Sequence, residues 1–194
     1  MGGGTVLQAR WGHRASCDVD MFCESDVFAH THRNSGKEIE NLLIERAGAD
    51  PQRTWMEYMA LYCEIGGIEV TMLPHTFIFE REVDGVLPGI VPLGLQSSAE
   101  ILAKKLRHRL HATGSVEVRD IYDLAYAIDA EPNVFSKAKL ALSPVQCVEA
   151  ATLLSQLPTG WSKRTIKPLI EPVMEWDEVT LTEIVRNALI TEIP

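Results

Sequence analysis

The spacing of the apolar residues changes close to residue 96. Before that point, short runs alternate polar and apolar residues, as strands with one buried face do, and residues 17–22 are one such run. From Ser98 onward the apolar residues recur at helical spacing, beginning with a stripe made of Ala99, Leu102, Ala103, Leu106 and Leu110. Strands that precede helices predict an α+β fold. We therefore expect a small mixed sheet with helices over residues 1–95, followed by a helical unit over 96–194 that closes a cleft.

Composition narrows the classes of function. The 194-residue chain has 46% hydrophobic and 23% charged residues, a composition that is typical of globular proteins and that excludes disorder over the whole length. It has 18 Lys and Arg against 27 Asp and Glu, a net charge of -9, which opposes non-specific binding to duplex nucleic acid. No apolar run is long enough for a membrane span, the N-terminal residues lack the basic start and apolar run of a signal peptide, and the four cysteines form no Cys-x-x-Cys pair. These features predict a cytoplasmic protein with reduced thiols and no membrane partner.

Turn and cap residues divide the first half into elements. The Gly3-Gly4-Thr5 sequence opens a short helix, and a second helix is expected to begin at Asn34 or Ser35 and to end at Gly48. Residues 54–65 and 68–73 have strand patterns that meet at two consecutive glycines, Gly66 and Gly67, which predicts a hairpin. Asp84-Gly85 predicts the turn of a second hairpin.

Three acidic residues are candidate metal ligands. Asp18 and Asp20 share one face of a predicted strand, about 7 Å apart by the strand rise. Mg²⁺ is usually held by one or two carboxylates together with substrate phosphates. Glu69, between two β-branched residues, is the third candidate, and Glu64 and Glu80 are poorer ones. Three acids suffice for a two-metal site that stabilises phosphoryl transfer.

Residues near these acids are candidate phosphate ligands. The backbone amides of Gly3 and Gly4 at the start of a helix permit close approach of a phosphate, although a flexible terminus is the simpler interpretation. Ser16 shares the strand face of the acids and could bind a phosphate, orient Asp18 or cap the strand.

The second half contributes charged helix surfaces. Lys105 and Arg109 are i, i+4 neighbours at one edge of the first apolar stripe and could face the cleft, where both are candidate nucleotide-binding residues. A separate basic face is a candidate track for an RNA backbone or a solvated surface, and it comprises Lys104, Arg107, His108 and His111. Arg119 and Asp123 have the spacing of a surface ion pair. The aromatic Trp55 and Tyr58 are expected to pack rather than to stack on bases.

The order of these motifs resembles a known family. Residues 3–22 are similar to the first motif of AbiEii-type nucleotidyltransferase toxins, which belong to the DNA polymerase beta-like nucleotidyltransferase superfold. The shared elements are the Gly-Gly-Thr turn, Gly12-His13-Arg14, Ser16 and the acid pair. Residues 100–106, with their Lys-Leu pair, and the Arg-Asp-x-x-Asp-Leu sequence at 119–124 resemble the family's later helices. The resemblance covers about residues 3–128.

The resemblance implies transfer of a nucleoside monophosphate from a nucleoside triphosphate to an acceptor. Related toxins act on the acceptor end of tRNA and are paired with an antitoxin, in a type IV toxin–antitoxin system. Asp18 and Asp20 would hold Mg²⁺ or Mn²⁺, and Lys105 would bind a phosphate. The triphosphate would contact Gly3, Gly4 and Thr5. Asp120 would act as a base or an orienting acid.

The start of the chain differs from this family. Relatives enter the glycine turn from a helix and a strand, whereas here Met1 directly precedes Gly2. Either the given start is downstream of the true one, or the chain is a shortened relative. Two further hypotheses therefore stand beside the RNA-modifying enzyme: an inactive nucleotide-binding or interaction module, and an enzyme that nucleotidylates a small molecule.

Overall fold

The computed structural model describes residues 1–79, 83–87 and 93–191. Its fold is α+β, as predicted. Two compact units divide the chain: the first contains Met1–Ala9 and Ser16–Gln96, and the second contains Arg10–Ala15 and Ser97–Pro194. The boundary at residue 96 is one residue beyond the predicted one. The inclusion of residues 10–15 in the second unit was not predicted.

The described elements include six strands and seven α-helices, and no described strand follows Gln96. The strands are β1 Val19–Glu24, β2 Trp55–Glu57, β3 Ala60–Ile65, β4 Ile68–His75, β5 Val83–Leu87 and β6 Leu93–Gln96. The α-helices are α1 Gly3–Trp11, α2 Ser25–Ala47, α3 Ser98–Lys104, α4 Val118–Ala130, α5 Pro132–Lys139, α6 Pro144–Ser155 and α7 Glu178–Ile190. None of these described helices combines the length and the hydropathy that crossing a membrane requires.

The main sheet of the first unit has the strand order β1-β4-β3-β2, with β1 and β4 parallel and the other pairs antiparallel. The predicted hairpin at Gly66-Gly67 is confirmed: both glycines have positive φ, 60° and 80°, as a tight turn between β3 and β4 requires. The single strand expected over residues 54–65 is two strands, because the chain turns at Tyr58 and Met59 and pairs β2 with β3.

One face of this sheet is apolar. Neighbouring strands place four apolar residues side by side in one row, namely Met21, Met72, Leu61 and Met56. Helix α2 lies over this face, since a side chain at Gly36 would lie 3.6 Å from the Met56 sulfur and Glu40 accepts the Met56 N–H at 2.7 Å. The other face of the sheet carries the polar row described below.

Two further sequence predictions in the first unit are wrong. Helix α2 begins at Ser25, so Asn34 and Ser35 lie in its interior; polar side chains tolerate that position because the surrounding helix surface is exposed. Its predicted end is correct, with Gly48 at φ 69°. Asp84 and Gly85 lie within β5 rather than in a turn, because β5 pairs with β6 on both sides of a register shift at Asp84. The connection through residues 88–92 lies outside the described residues.

The second unit is helical. All five residues of the first predicted stripe are buried, at 5% exposure or less, but α3 continues as a π-helix over Lys105–Thr113. Helix α6 has the predicted cap, in which Ser143 and Gln146 bond reciprocally to each other's main chain. Leu181, Val185 and Leu189 provide the buried face of α7.

Candidate functional site

Asp20 lies on the polar face of the main sheet and is held by its neighbours. Its Oδ1 accepts a hydrogen bond from the Thr71 hydroxyl of β4 at 2.9 Å, and its main-chain oxygen accepts the Gly2 N–H at 2.9 Å. The N-terminal glycine turn is therefore bonded directly to the strand that carries the acid. Sequence reasoning did not identify Thr71, although β-branched residues on a neighbouring strand are ordinary cross-strand partners.

Gly3 makes the closest approach to this carboxylate. A Cβ at Gly3 would lie 1.9 Å from Asp20 Oδ2, and the residue has a φ of 72°. No residue with a side chain fits this position without a shift of the backbone or of the carboxylate. Because α1 begins at Gly3, the Asp20 carboxylate lies at the positive end of a helix, where negative charge is stabilised.

Thr5 and Ser16 join α1 to the segment that precedes β1. The Thr5 hydroxyl donates to the main-chain oxygen of Asp18 and lies 3.2 Å from the Ser16 hydroxyl. The Ser16 N–H donates to Gln8 Oε1 at 3.0 Å, a partner that the sequence did not reveal. Gly4 is half-buried in the first turn of α1. The predicted triphosphate contacts of these residues stay predictions, while their role in holding Asp18 beside the helix is visible in the structure.

The third predicted ligand shares this sheet face. Val19 pairs with Val70, so continuing the parallel register by one residue places Asp18 beside Glu69. Side-chain alternation puts Glu69 and Thr71, the partner of Asp20, on the same face. On the neighbouring strand β3, Glu64 is the residue paired with Glu69, and its side chain accepts a hydrogen bond from Arg53.

Asp20 and Glu69 lie on one face of the sheet, whereas Asp18 precedes Val19, the first residue of β1, so the strand predicted over residues 17–22 begins two residues later than predicted. Among residues 1–79, 83–87 and 93–191, no group of three or more His, Cys, Asp or Glu side chains is arranged to hold a metal ion. Glu80, the other sequence candidate, lies outside the described residues. The donor chemistry fits nevertheless, because carboxylate oxygens are the ligands that Mg²⁺ and Mn²⁺ prefer. The binding of a metal ion by Asp18, Asp20 and Glu69 stays a prediction.

A second concentration of charge lies inside the helical unit. We call it the buried charge cluster, and it consists of His13, Arg14, Lys105, Arg109, Asp120 and Asp123. At its centre, the Asp123 carboxylate is fully buried and accepts hydrogen bonds from Arg14 Nε at 2.6 Å and Arg14 Nη2 at 2.9 Å. His13 Nε2 lies 2.7 Å from Asp123 Oδ1, and Lys105 Nζ lies 3.1 Å from Oδ2.

Asp120 forms the outer part of the buried charge cluster. It accepts hydrogen bonds from Lys105 and from Arg109 Nη1, the latter at 2.7 Å. The side chains of Lys105 and Asp120 are 8% and 5% exposed, whereas that of Arg109 is 43% exposed. Among the described contacts, the Lys105 ammonium forms ion pairs with two carboxylates, those of Asp120 and Asp123. Its role as a phosphate ligand and the role of Asp120 as a base stay predictions.

The cations of the buried charge cluster keep its carboxylates ionised. Burial would raise the pKa of Asp123, but the charge of Lys105 and the hydrogen bonds from Arg14 and His13 outweigh burial and hold that pKa far below its usual range. For Asp120, burial is likewise outweighed by Lys105 and Arg109, so its pKa is also lowered. Leaving the His13 imidazole aside, three cations face two carboxylates, a net charge of +1.

Aromatic rings surround His13. Its ring centroid lies 5.3 Å from that of Trp11, 5.0 Å from that of Tyr126 and 5.8 Å from that of Tyr122. The Tyr122 hydroxyl donates to the His13 main-chain oxygen at 3.1 Å, and Val173 N–H donates to the same oxygen at 2.9 Å. The segment 10–15 is thus fixed within the helical unit by its rings, its main chain and the buried charge cluster.

The interpretation of Asp123 as half of a surface pair with Arg119 is wrong, since Asp123 is fully buried and bonded to Arg14. The spacing of Asp120 and Asp123, i and i+3 on α4, was the available signal, because it places both acids on one helix face.

The predicted basic face is not continuous. Lys104 is only 14% exposed and lies 3.5 Å from Glu100, and His111 lies 2.9 Å from Glu149. Arg107 and His108 are exposed. The change from α- to π-helix at Lys105 alters the spacing on which the predicted face depended.

Comparison with known proteins adds no relative. No protein-family model, curated protein or solved structure matches the chain. The functional interpretation therefore depends on the geometry of the residues themselves.

Proposed function

We propose that the chain is a metal-dependent nucleotidyltransferase that transfers a nucleoside monophosphate from a nucleoside triphosphate to an RNA acceptor, with tRNA as the acceptor of first choice. In this proposal it is the toxin of a type IV toxin–antitoxin pair, it acts in the cytoplasm, and an antitoxin is its protein partner. Small-molecule nucleotidylation is the competing activity for the same chemistry.

The observation that carries the proposal is the contact between the glycine turn and Asp20. Gly3 fits only as glycine because the Asp20 carboxylate lies against it at the start of α1. A helix start with backbone amides free of side chains suits a phosphate, and an adjacent carboxylate suits the cation that accompanies it. Glu69 adds a second carboxylate to the same sheet face, and Asp18 immediately precedes β1.

Within this proposal each residue of the first unit has a defined task. Asp18, Asp20 and Glu69 would hold Mg²⁺ or Mn²⁺, which supplies charge stabilisation for phosphoryl transfer when bound. The main chain at Gly3 and Gly4 would bind the triphosphate. Thr5 and Ser16 keep Asp18 beside α1, as their hydrogen bonds indicate.

One observation favours a second candidate function, an inactive nucleotide-binding or interaction module. Among the described residues, the acids are not grouped around a single metal position. A module of this kind binds a nucleotide or a protein without turnover. It is distinguished from the enzyme by the absence of transfer under conditions in which nucleotide is bound.

The test is transfer of label from each α-³²P nucleoside triphosphate to total RNA in the presence of Mg²⁺ or Mn²⁺. We expect the wild-type protein to label RNA, and Asp18→Asn and Asp20→Asn to abolish the labelling. Asp26→Asn is the matched control, because Asp26 is an exposed acid in the first turn of α2. Equal labelling by wild type and both active-site variants would overturn the proposal.

A further inference from the structure

A single row of side chains crosses the polar face of the main sheet. The pairings Asp20 with Thr71, Thr71 with Tyr62 and Tyr62 with Trp55 place one residue from each strand side by side. The row therefore begins at the candidate metal ligand on β1 and ends at Trp55 on β2. Neighbouring strands lie 4.7–4.9 Å apart, so the backbone of Tyr62 lies about 10 Å from that of Asp20, and the backbone of Trp55 about 14 Å, measured across the strands.

The far end of the row is an ordered aromatic pair. The Trp55 and Tyr62 ring centroids are 5.1 Å apart with an interplanar angle of 29°, a stacked arrangement. Trp55 is nevertheless 46% exposed, so its contact with Tyr62 leaves much of the indole accessible. A stacked, partly exposed aromatic pair offers a π-face to a planar ligand, and stacking on such faces accepts every base.

Charge around the pair selects for a base rather than a phosphate. Glu57 and Glu64 follow Trp55 and Tyr62 by two residues on β2 and β3, so alternation places both acids on the same face as the rings. Arg53 is paired with Glu64, so these two acids and one cation leave a net charge of -1 beside the rings, which opposes the approach of a phosphodiester chain. In contrast, the start of α1 at the other end of the row has the character of an anion site.

We propose that Trp55 and Tyr62 form the nucleobase subsite of this unit, on which the base of the nucleoside triphosphate stacks while its phosphates lie toward Gly3 and Asp20. The inference rests on the proposed function, since it assigns a place to that reaction's nucleotide. It replaces the expectation that Trp55 is only a packing residue. It also predicts weak discrimination among bases, because stacking requires only a π-face.

The test compares the binding of two ligands by calorimetry, Mg²⁺ with a nucleoside triphosphate and Mg²⁺ with inorganic tripolyphosphate. For Trp55→Ala we expect nucleotide affinity to fall by about 5- to 140-fold, the change that the loss of one base stack produces. Tripolyphosphate affinity should stay unchanged, because that ligand has no base. Trp55→Phe, which keeps an aromatic face, should recover most of the nucleotide affinity.

Tyr58→Ala is the matched control. Tyr58 is 63% exposed in the turn between β2 and β3, and its ring contacts His32 of α2, on the opposite side of the sheet from the row. Its loss should leave both affinities at the wild-type value. An unchanged unfolding midpoint of Trp55→Ala establishes that the variant is folded.

The outcomes separate the inference from the function on which it rests. If wild type binds both ligands and Trp55→Ala binds the nucleotide as tightly as wild type does, the subsite is wrong and the proposed function survives. If wild type binds neither ligand, the proposed function fails and the subsite with it. Weakened binding of a single-stranded oligonucleotide by Trp55→Ala, with nucleotide binding unchanged, would overturn the inference in favour of an RNA contact.

Discussion

Asp123→Asn tests whether the buried charge cluster stabilises the helical unit. The carboxylate has no exposed surface and contacts Arg14, His13 and Lys105. An asparagine keeps the volume but replaces one acceptor oxygen with an N–H donor that faces other donors. Because the substitution removes one of two negative charges opposite three positive ones, the net charge of the cluster rises from +1 to +2.

The expected cost follows from this loss of compensation. Removing one partner of a buried ion pair lowers the free energy of unfolding by about 3–5 kcal/mol, since the remaining charges stay buried. For a chain of this length, 1 kcal/mol corresponds to about 2–4 °C in Tm, so we expect a fall of about 6–20 °C.

Urea unfolding followed by tryptophan fluorescence measures the effect. Trp11 packs against His13, and Trp176 packs against Tyr122 at a centroid distance of 5.6 Å, so both indoles report on the surroundings of the cluster. Asp129→Asn is the control, because Asp129 is exposed on the same helix and its substitution should change stability by no more than about 0.5 kcal/mol. If Asp123→Asn unfolds within 1 kcal/mol of wild type, the reasoning about the cluster is refuted.

Three further results are expected. The folded-state pKa of Asp123 is lowered far below its usual range, so its stabilisation is complete above the unfolded pKa of about 3.9 and is lost progressively as the pH falls below that value. The urea midpoints of wild type and Asp123→Asn should therefore begin to approach each other near about pH 4 and continue to do so down to about pH 2. Gly66→Ala should lower the free energy of unfolding by about 1–3 kcal/mol, because Gly66 has a positive φ. Gly3→Ala should lower it by more, because Gly3 also has a positive φ and its new Cβ would clash with Asp20. Equal urea midpoints for the two variants would contradict the described approach of Gly3 to Asp20. Burial raises the pKa of the Cys63 thiol, whereas Cys17 is exposed. Mass spectrometry after brief alkylation at pH 8 should therefore find Cys17 modified well before Cys63. The reverse order would show that β3 is not protected from the reagent.

Local chemistry explains what the sequence predicted correctly. Two adjacent glycines specify the tight turn between β3 and β4, since both adopt positive φ. Gly48 ends α2 for the same reason, and the helical stripe after Ser98 is buried because its spacing gives one apolar face. These features depend on residues close together in the chain, which a sequence pattern can capture.

Long-range contacts explain the features that the sequence did not predict. Asp123 and Arg14 are 109 residues apart, so their pairing has no local signature. The row from Asp20 to Trp55 exists only because the strand order is β1-β4-β3-β2, and strand order is decided by packing of the whole sheet. The early start of α2 was missed because Asn34 and Ser35 resemble caps, although their surface position allows polar side chains within a helix.

The most direct test of the central claim is Mn²⁺ binding, measured by electron paramagnetic resonance with and without a non-hydrolysable nucleoside triphosphate. We predict that the nucleotide strengthens Mn²⁺ binding to the wild-type protein, and that Asp18→Asn, Asp20→Asn and Glu69→Gln each weaken it while Asp26→Asn does not. Binding that is equal in all five proteins, or absent from the wild type with nucleotide present, would contradict a metal-and-nucleotide site on this sheet face.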